Sequence, residues 1–250
     1  MKKIITYKKI IFAITLLIIN YTGYAQEIVN IIYVGDNGIT EDIKAANAFI
    51  LIKQSPGGSF ERLDYKLSAP LVMLRTYSDT NMSILNGKFL KYYKSGELEI
   101  NGQYNNNQKD GDWLYYNEKG KIISKETYSN NTLIRKENPD TVKKENSVRY
   151  DDEKEAEFAG GKMAWNSYLQ NALLKMPAEL FPLKGKIEVG FMINTEGQTT
   201  EIYLKKSAQF AIDEEALKII RLSALWNPAF QNGHAVNAYR VQPFTFAGEN

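Results

Sequence analysis

The chain has no cysteine among its 250 residues. That absence excludes disulfide staples, thiolate metal centres, thiol nucleophiles and a lipid anchor carried on cysteine. Histidine is nearly absent too. His234 stands alone beside Asn232-Gly233, where a surface turn explains it better than a catalytic base. An excess of one charge is also missing, with 31 Lys and Arg against 29 Asp and Glu. Four of those lysines, Lys2, Lys3, Lys8 and Lys9, sit at the N-terminus; without them 27 basic residues face 29 acidic ones. Such a balance offers no field for nucleic acid or an anionic membrane. Gly57-Gly58 and Gly160-Gly161 lack the spacing of a phosphate-binding loop. The acids of Asp151-Asp152-Glu153 have no rigid frame, and Asp213-Glu214-Glu215 open a helix where the dipole favours them, so neither reads as a metal or acid–base site.

What is present begins with a leader. After the four lysines, residues 10–19 form an apolar run about half the roughly 20 residues of a spanning helix. Gly23-Tyr24-Ala25 then supplies a small-x-Ala signal before Gln26, so residues 1–25 are expected to be a cleaved secretory signal peptide. Retention of the run as a short anchor is the alternative.

The first half repeats. The segment from Tyr65 to Leu71 aligns with that from Tyr92 to Leu98 at a shift of 27, and the latter with that from Tyr116 to Ile122 at a shift of 24. The same shifts align Tyr77, Tyr104 and Tyr128, and the second aligns Gly87 with Gly111 and Phe89 with Trp113. Glycines and aromatics in phase mark a stacked array, and each unit reads as a hairpin that needs its neighbours. The first unit is worn: Ala69 stands at the turn glycine and Arg75 at the position of Gly102. A short helix is expected from Thr40 to Ala48, then an opening hairpin of residues 48–53 and 60–65 around the Pro56-Gly57-Gly58 turn. The pattern Gly-x-[Phe/Trp]-x-x-Tyr followed by a glycine turn resembles the MORN-type repeat of bacterial exported proteins, also seen in antitoxin-like proteins. The repeat module is expected over 27–133.

Residues 134–157 hold fourteen charged residues and Pro139, the composition of a solvated connector. Beyond it, Met163, Trp165, Tyr168, Leu169, Ala172 and Leu173 recur at helical spacing, so one face is expected to pack on a sheet. Ile187, Val189, Phe191 and Ile193 alternate as a half-buried strand that turns at Asn194-Thr195-Glu196-Gly197. Ile212, Ala216, Ile219, Ile220 and Ser223 stripe a second helix. The last strand, about 235–246, contains Pro243, which is tolerated mainly at a sheet edge.

Phe158-Ala159-Gly160-Gly161, Gly185-Lys186-Ile187, Ile212-Asp213-Glu214-Glu215-Ala216, Trp226-Asn227-Pro228-Ala229, Asn232-Gly233 and Phe244-Thr245-Phe246 fall in an order that resembles the C-terminal domain of TonB. Ala159 replaces a proline frequent in this branch. The resemblance covers 158–247 and implies an α+β fold: a three-stranded antiparallel sheet with two helices on one face. Together with the repeats, the chain would join an antiparallel β-hairpin sheet to this domain.

The resemblance also implies periplasmic location and protein partners, above all outer-membrane TonB-dependent transporters bound by strand addition. Asn237, Tyr239, Arg240, Val241 and Gln242 are the expected contact residues, with no cofactor, metal or catalytic group. The same edge could instead close the sheet or a homodimer. Three functions stay open: an exported peptide-binding protein, a membrane-anchored energy transducer for transmembrane transport, and a repeat scaffold for a surface polymer or protein.

Overall fold

The computed structural model describes residues 27–138, 153–223 and 226–248. The expected leader, and residues 139–152 of the expected connector, lie outside the described residues. The chain divides into two units, the first comprising the N-terminal strands with Ser207–Phe210 and the second the rest of the C-terminal part.

The first unit is a ten-stranded antiparallel sheet. Its strands are β1 (Glu27–Gly35), β2 (Gly38–Ile39), β3 (Ala46–Gln54), β4 (Phe60–Lys66), β5 (Leu71–Tyr77), β6 (Leu85–Tyr92), β7 (Leu98–Asn105), β8 (Gln108–Tyr116), β9 (Ile122–Ser129) and β10 (Thr132–Glu137). From β3 to β10 each strand pairs with the next in sequence, as short hairpin turns dictate. The repeat recurs bond for bond. Asn107 donates its N–H to Leu85 O at 2.8 Å and accepts Leu85 N–H on Oδ1 at 2.7 Å; Asn131 does the same with Lys109 at 2.9 and 2.6 Å. Asn106 and Asn107 have φ of 48° and 65°, and Asn130 and Asn131 repeat these values. Two successive left-handed residues match the twist of the flanking strands.

In the worn unit Ala69 N–H still donates to Lys66 O, as Gly96 does to Tyr93 O and Gly120 to Asn117 O. The left-handed residue there is Ser68, one place before Ala69, whereas Gly96 and Gly120 themselves take positive φ. The aromatics in phase form the packing: Trp113 is 2% exposed, with ring centroids of Tyr104, Phe89 and Tyr128 at 5.1, 5.4 and 6.2 Å.

Two expectations are corrected here. No helix forms over 40–48: a bend, a turn over 43–45 and the start of β3 occupy that stretch. Asp42 instead accepts Lys44 N–H at 2.9 Å, and one or two helical turns alone are marginal in water. Ile134 to Glu137, assigned by composition to the connector, complete β10, because backbone pairing to β9 needs no apolar side chain.

The second unit comprises β11 (Glu157–Phe158), α1 (Gly161–Leu174), a 3-10 turn (Ala178–Leu180), β12 (Lys184–Ile193), β13 (Thr199–Lys206), α2 (Phe210–Arg221), β14 (Trp226–Asn227), β15 (Ala229–Gln231), β16 (His234–Val236) and β17 (Ala238–Ala247). Its main sheet has the order β13-β12-β17, all antiparallel, so the fold is α+β. Ile187, Val189, Phe191 and Ile193 are buried, as are Ile212, Ala216, Ile219 and Ile220 of α2. Tyr168 OH donates to Ile219 O at 2.6 Å and ties α1 to α2. The inward face of α1 excludes Met163, which is 83% exposed, and no α1 residue is fully buried. Asp213 does lie in the first turn of α2 but is 0% exposed; Glu215, also buried, accepts from Lys218 Nζ at 2.9 Å.

Candidate functional site: a free sheet edge beside an aromatic groove

β17 has β12 on one side and, among the described residues, no strand on the other. Such an edge leaves every second residue's N–H and C=O turned outward. Register with β12 fixes its two faces. Phe244, Gln242 and Arg240 stand opposite Ile187, Val189 and Phe191, on the buried face. Tyr239, Val241 and Pro243 stand opposite Met192, Gly190 and Glu188, on the other.

The predicted contact residues therefore separate into three settings. Asn237 is exposed but belongs to no strand, since residues 234–236 pair with β15 in a small hairpin and β17 begins only at Ala238. That hairpin turns at Asn232-Gly233 with positive φ at both residues, and His234 is exposed beside it. Tyr239 and Val241 are exposed on the open face. Tyr239 OH donates to Glu201 Oε2 at 2.7 Å; this bond, with burial behind it, pushes the hydroxyl's pKa up to about 12. Nearby, Tyr203 lies over Gly190, and burial followed by the Glu201 charge pushes its hydroxyl up as well.

Arg240 and Gln242 face a groove of about 920 Å³ on the helix side. Trp165 Nε1–H donates to Gln242 Oε1 at 2.9 Å. Arg240 Nη1 donates to Glu155 Oε2 at 3.0 Å, and Nη2 donates to Ala156 O. The groove's apolar lining is aromatic: Trp165 and Trp226 centroids are 4.8 Å apart, Phe158 is 5.0 Å from Trp165 and 5.4 Å from Trp226, and Phe191 is 5.6 Å from Trp226. Its far wall is the segment from Lys154 to Phe158, held by β11–β14 pairing and by reciprocal backbone bonds between Lys154 and Phe230 at 3.1 and 2.8 Å. Gly197 supports the site from behind: Trp226 N–H donates to Gly197 O at 2.8 Å, and Gly197 has φ of 79°.

Sequence reasoning missed this groove. Its signal was four aromatics, Phe158, Trp165, Phe191 and Trp226, that no single helix or strand pattern connects. What the arrangement offers chemically is backbone pairing, aromatic contact and one guanidinium.

The fold and this edge define a small α+β domain whose last strand, among the described residues, is paired on one side. Residues 178–247 match the family model described as Gram-negative bacterial TonB protein C-terminal. The match runs from the 3-10 turn to the end of β17 and starts after α1. Over these residues the second unit is thus similar to the TonB C-terminal domain. Neither the comparison with curated proteins nor that with solved structures returned a match. Among the described residues no helix is long and apolar enough to cross a membrane.

Proposed function

We propose that the chain is an exported, non-enzymatic binding protein whose β17 edge receives an extended peptide segment from a periplasmic or outer-membrane protein. TonB-dependent transporters supply the partner class. The observation that carries this reading is the family match at 178–247 combined with a β17 that, among the described residues, has a strand neighbour on one side only. An added strand satisfies the outward backbone groups, and alternate side chains of the peptide then meet the groove and the open face. The tandem hairpins, read as MORN-type, serve as an accessory module, and residues 1–25 act as the cleaved leader that brings the protein to the periplasm.

The test is fluorescence anisotropy with labelled N-terminal plug peptides of such transporters, beside an energy-transducing TonB domain as positive control. Saturable binding by both proteins supports the reading. Binding by the control alone refutes it. Mass spectrometry of the secreted chain checks the leader: a mature start at Gln26 fits a released binding protein, and an intact Met1 favours the anchored transducer. Sedimentation shows whether the edge is consumed in a homodimer before any peptide arrives.

A further inference from the structure

Arg240 crosses the groove. From β17 its guanidinium reaches the opposite wall, and its two terminal nitrogens make contacts of unequal permanence. Nη2 is held by a main-chain carbonyl, that of the buried Ala156. Nη1 is held by Glu155, whose side chain is 78% exposed. An ion pair so exposed shifts an equilibrium by no more than about fivefold, so a competing carboxylate can take its place. The other acid of this wall is Glu157. Glu157 Oε1 lies 3.1 Å from the point where a Cβ on Gly161 would stand, against the start of α1. Two further cations, Lys154 and Lys162, line the groove, which thus carries three positive against two negative side chains.

We propose that Arg240 selects acidic peptides: an Asp or Glu side chain of the incoming segment displaces Glu155 from Nη1 while Nη2 keeps its hold on Ala156. This rests on the reading that β17 takes an added strand. Arg240 and Gln242 are two residues apart and face the same way, and Gln242 is bonded to Trp165 at the aromatic lining. In an extended strand, residues two apart share a face. The preferred segment therefore places an acidic residue two positions from a bulky apolar one, the carboxylate on the guanidinium and the apolar side chain among Trp165, Trp226 and Phe158. Glu155 acts as a built-in competitor that sets the affinity threshold.

The experiment uses the full chain on an array of decapeptides tiling transporter plug segments. Each acidic peptide is printed beside its Asn or Gln counterpart. Wild type is expected to bind the acidic form about fivefold more tightly, the gain of one partly exposed charge pair. R240Q abolishes that preference, and E155Q strengthens binding of the acidic form. Equal binding of acidic and amide forms, or no change in E155Q, overturns the assignment and leaves the strand-docking reading standing. Absence of binding to every peptide overturns both. If R240Q fails to fold, E155Q still decides, because its substitution is at an exposed side chain.

Discussion

Gly102→Ala tests whether the repeat is held in phase by aromatic packing. A Cβ at this position would stand 2.4, 2.6 and 2.7 Å from three atoms of the Trp113 ring, where ordinary contact begins near 3.4 Å. The ring would have to retreat by about an ångström. It cannot do so freely, because Phe89, Tyr104 and Tyr128 pack around it and Lys109 Nζ sits 4.2 Å from its centroid. Overpacking of this kind costs ~1–3 kcal/mol. The reduced freedom of the unfolded chain returns ~0.4–1 kcal/mol, leaving a net loss of about 1–2 kcal/mol. Trp113→Leu alone removes the large buried ring and costs roughly 2–4 kcal/mol. In its presence the added methyl no longer meets the three ring atoms nearest it, so the double variant should be no less stable than Trp113→Leu. The coupling energy is therefore about 1–2 kcal/mol, within the range measured for touching residues. Urea unfolding, with amide exchange read on peptides from β6 to β9, gives all four corners of the cycle. Simple additivity, with coupling below about 0.5 kcal/mol, would refute the packing argument. Arg75 makes the same point within the native chain. At the equivalent place in the first unit it faces the smaller Phe89 and turns aside to Asp64, 2.5 Å away.

Gly197→Ala places a Cβ 2.0 Å from the main-chain oxygen of Trp226, at a φ disfavoured by side chains; the second unit should lose about 2 kcal/mol or more, and unchanged urea stability would contradict the account. The first unit should weaken in acid through Glu126. Its hydrogen bond from Lys136 outweighs desolvation, and with those from the Tyr128 and Tyr115 hydroxyls it holds the carboxyl below the usual carboxylate range. The folded pKa is thus depressed, so the stabilisation is complete above the unfolded value of about 4.3 and lost as pH falls through the folded value. Glu126→Gln should flatten that acid limb in pH-dependent unfolding. Tyr239, raised to about 12, should remain protonated when exposed tyrosines ionise near pH 10, and Glu201→Gln should bring it down in a ring-carbon NMR titration. Its contribution has the opposite sign, being present below the unfolded value and lost as pH rises through the folded one. Trp165→Phe keeps most of the ring contact but deletes the donor to Gln242, which should cost about 1 kcal/mol by thermal unfolding.

Local patterns carried much of the fold into view from the sequence. The alternation of Ile187 to Ile193 marks β12, the stripe from Ile212 to Ile220 marks α2, and Pro243 points to an edge because a central strand could not spare its N–H. The shift of 24 anticipates hydrogen bonds that recur between Leu85 and Asn107 and between Lys109 and Asn131. What escaped depends on contacts between distant short segments. Glu157-Phe158 is too brief to show a strand period, and its partner Trp226-Asn227 lies far along the chain. The groove exists because of that pairing. Likewise the alternation of β17 shows that Arg240 and Tyr239 oppose one another, but only the reach of Arg240 to Ala156 shows which face holds the groove. β10 formed despite its charge, since an edge strand exposes both faces and needs few apolar residues.

The central claim is that β17, and not another edge, receives a peptide strand. Amide hydrogen exchange on the full chain, with and without a saturating transporter plug peptide, tests it directly. The account predicts slowed exchange within Ala238–Ala247 and no change within Thr199–Lys206, the opposite edge of the same sheet. Protection on Thr199–Lys206 with none on Ala238–Ala247 would contradict it.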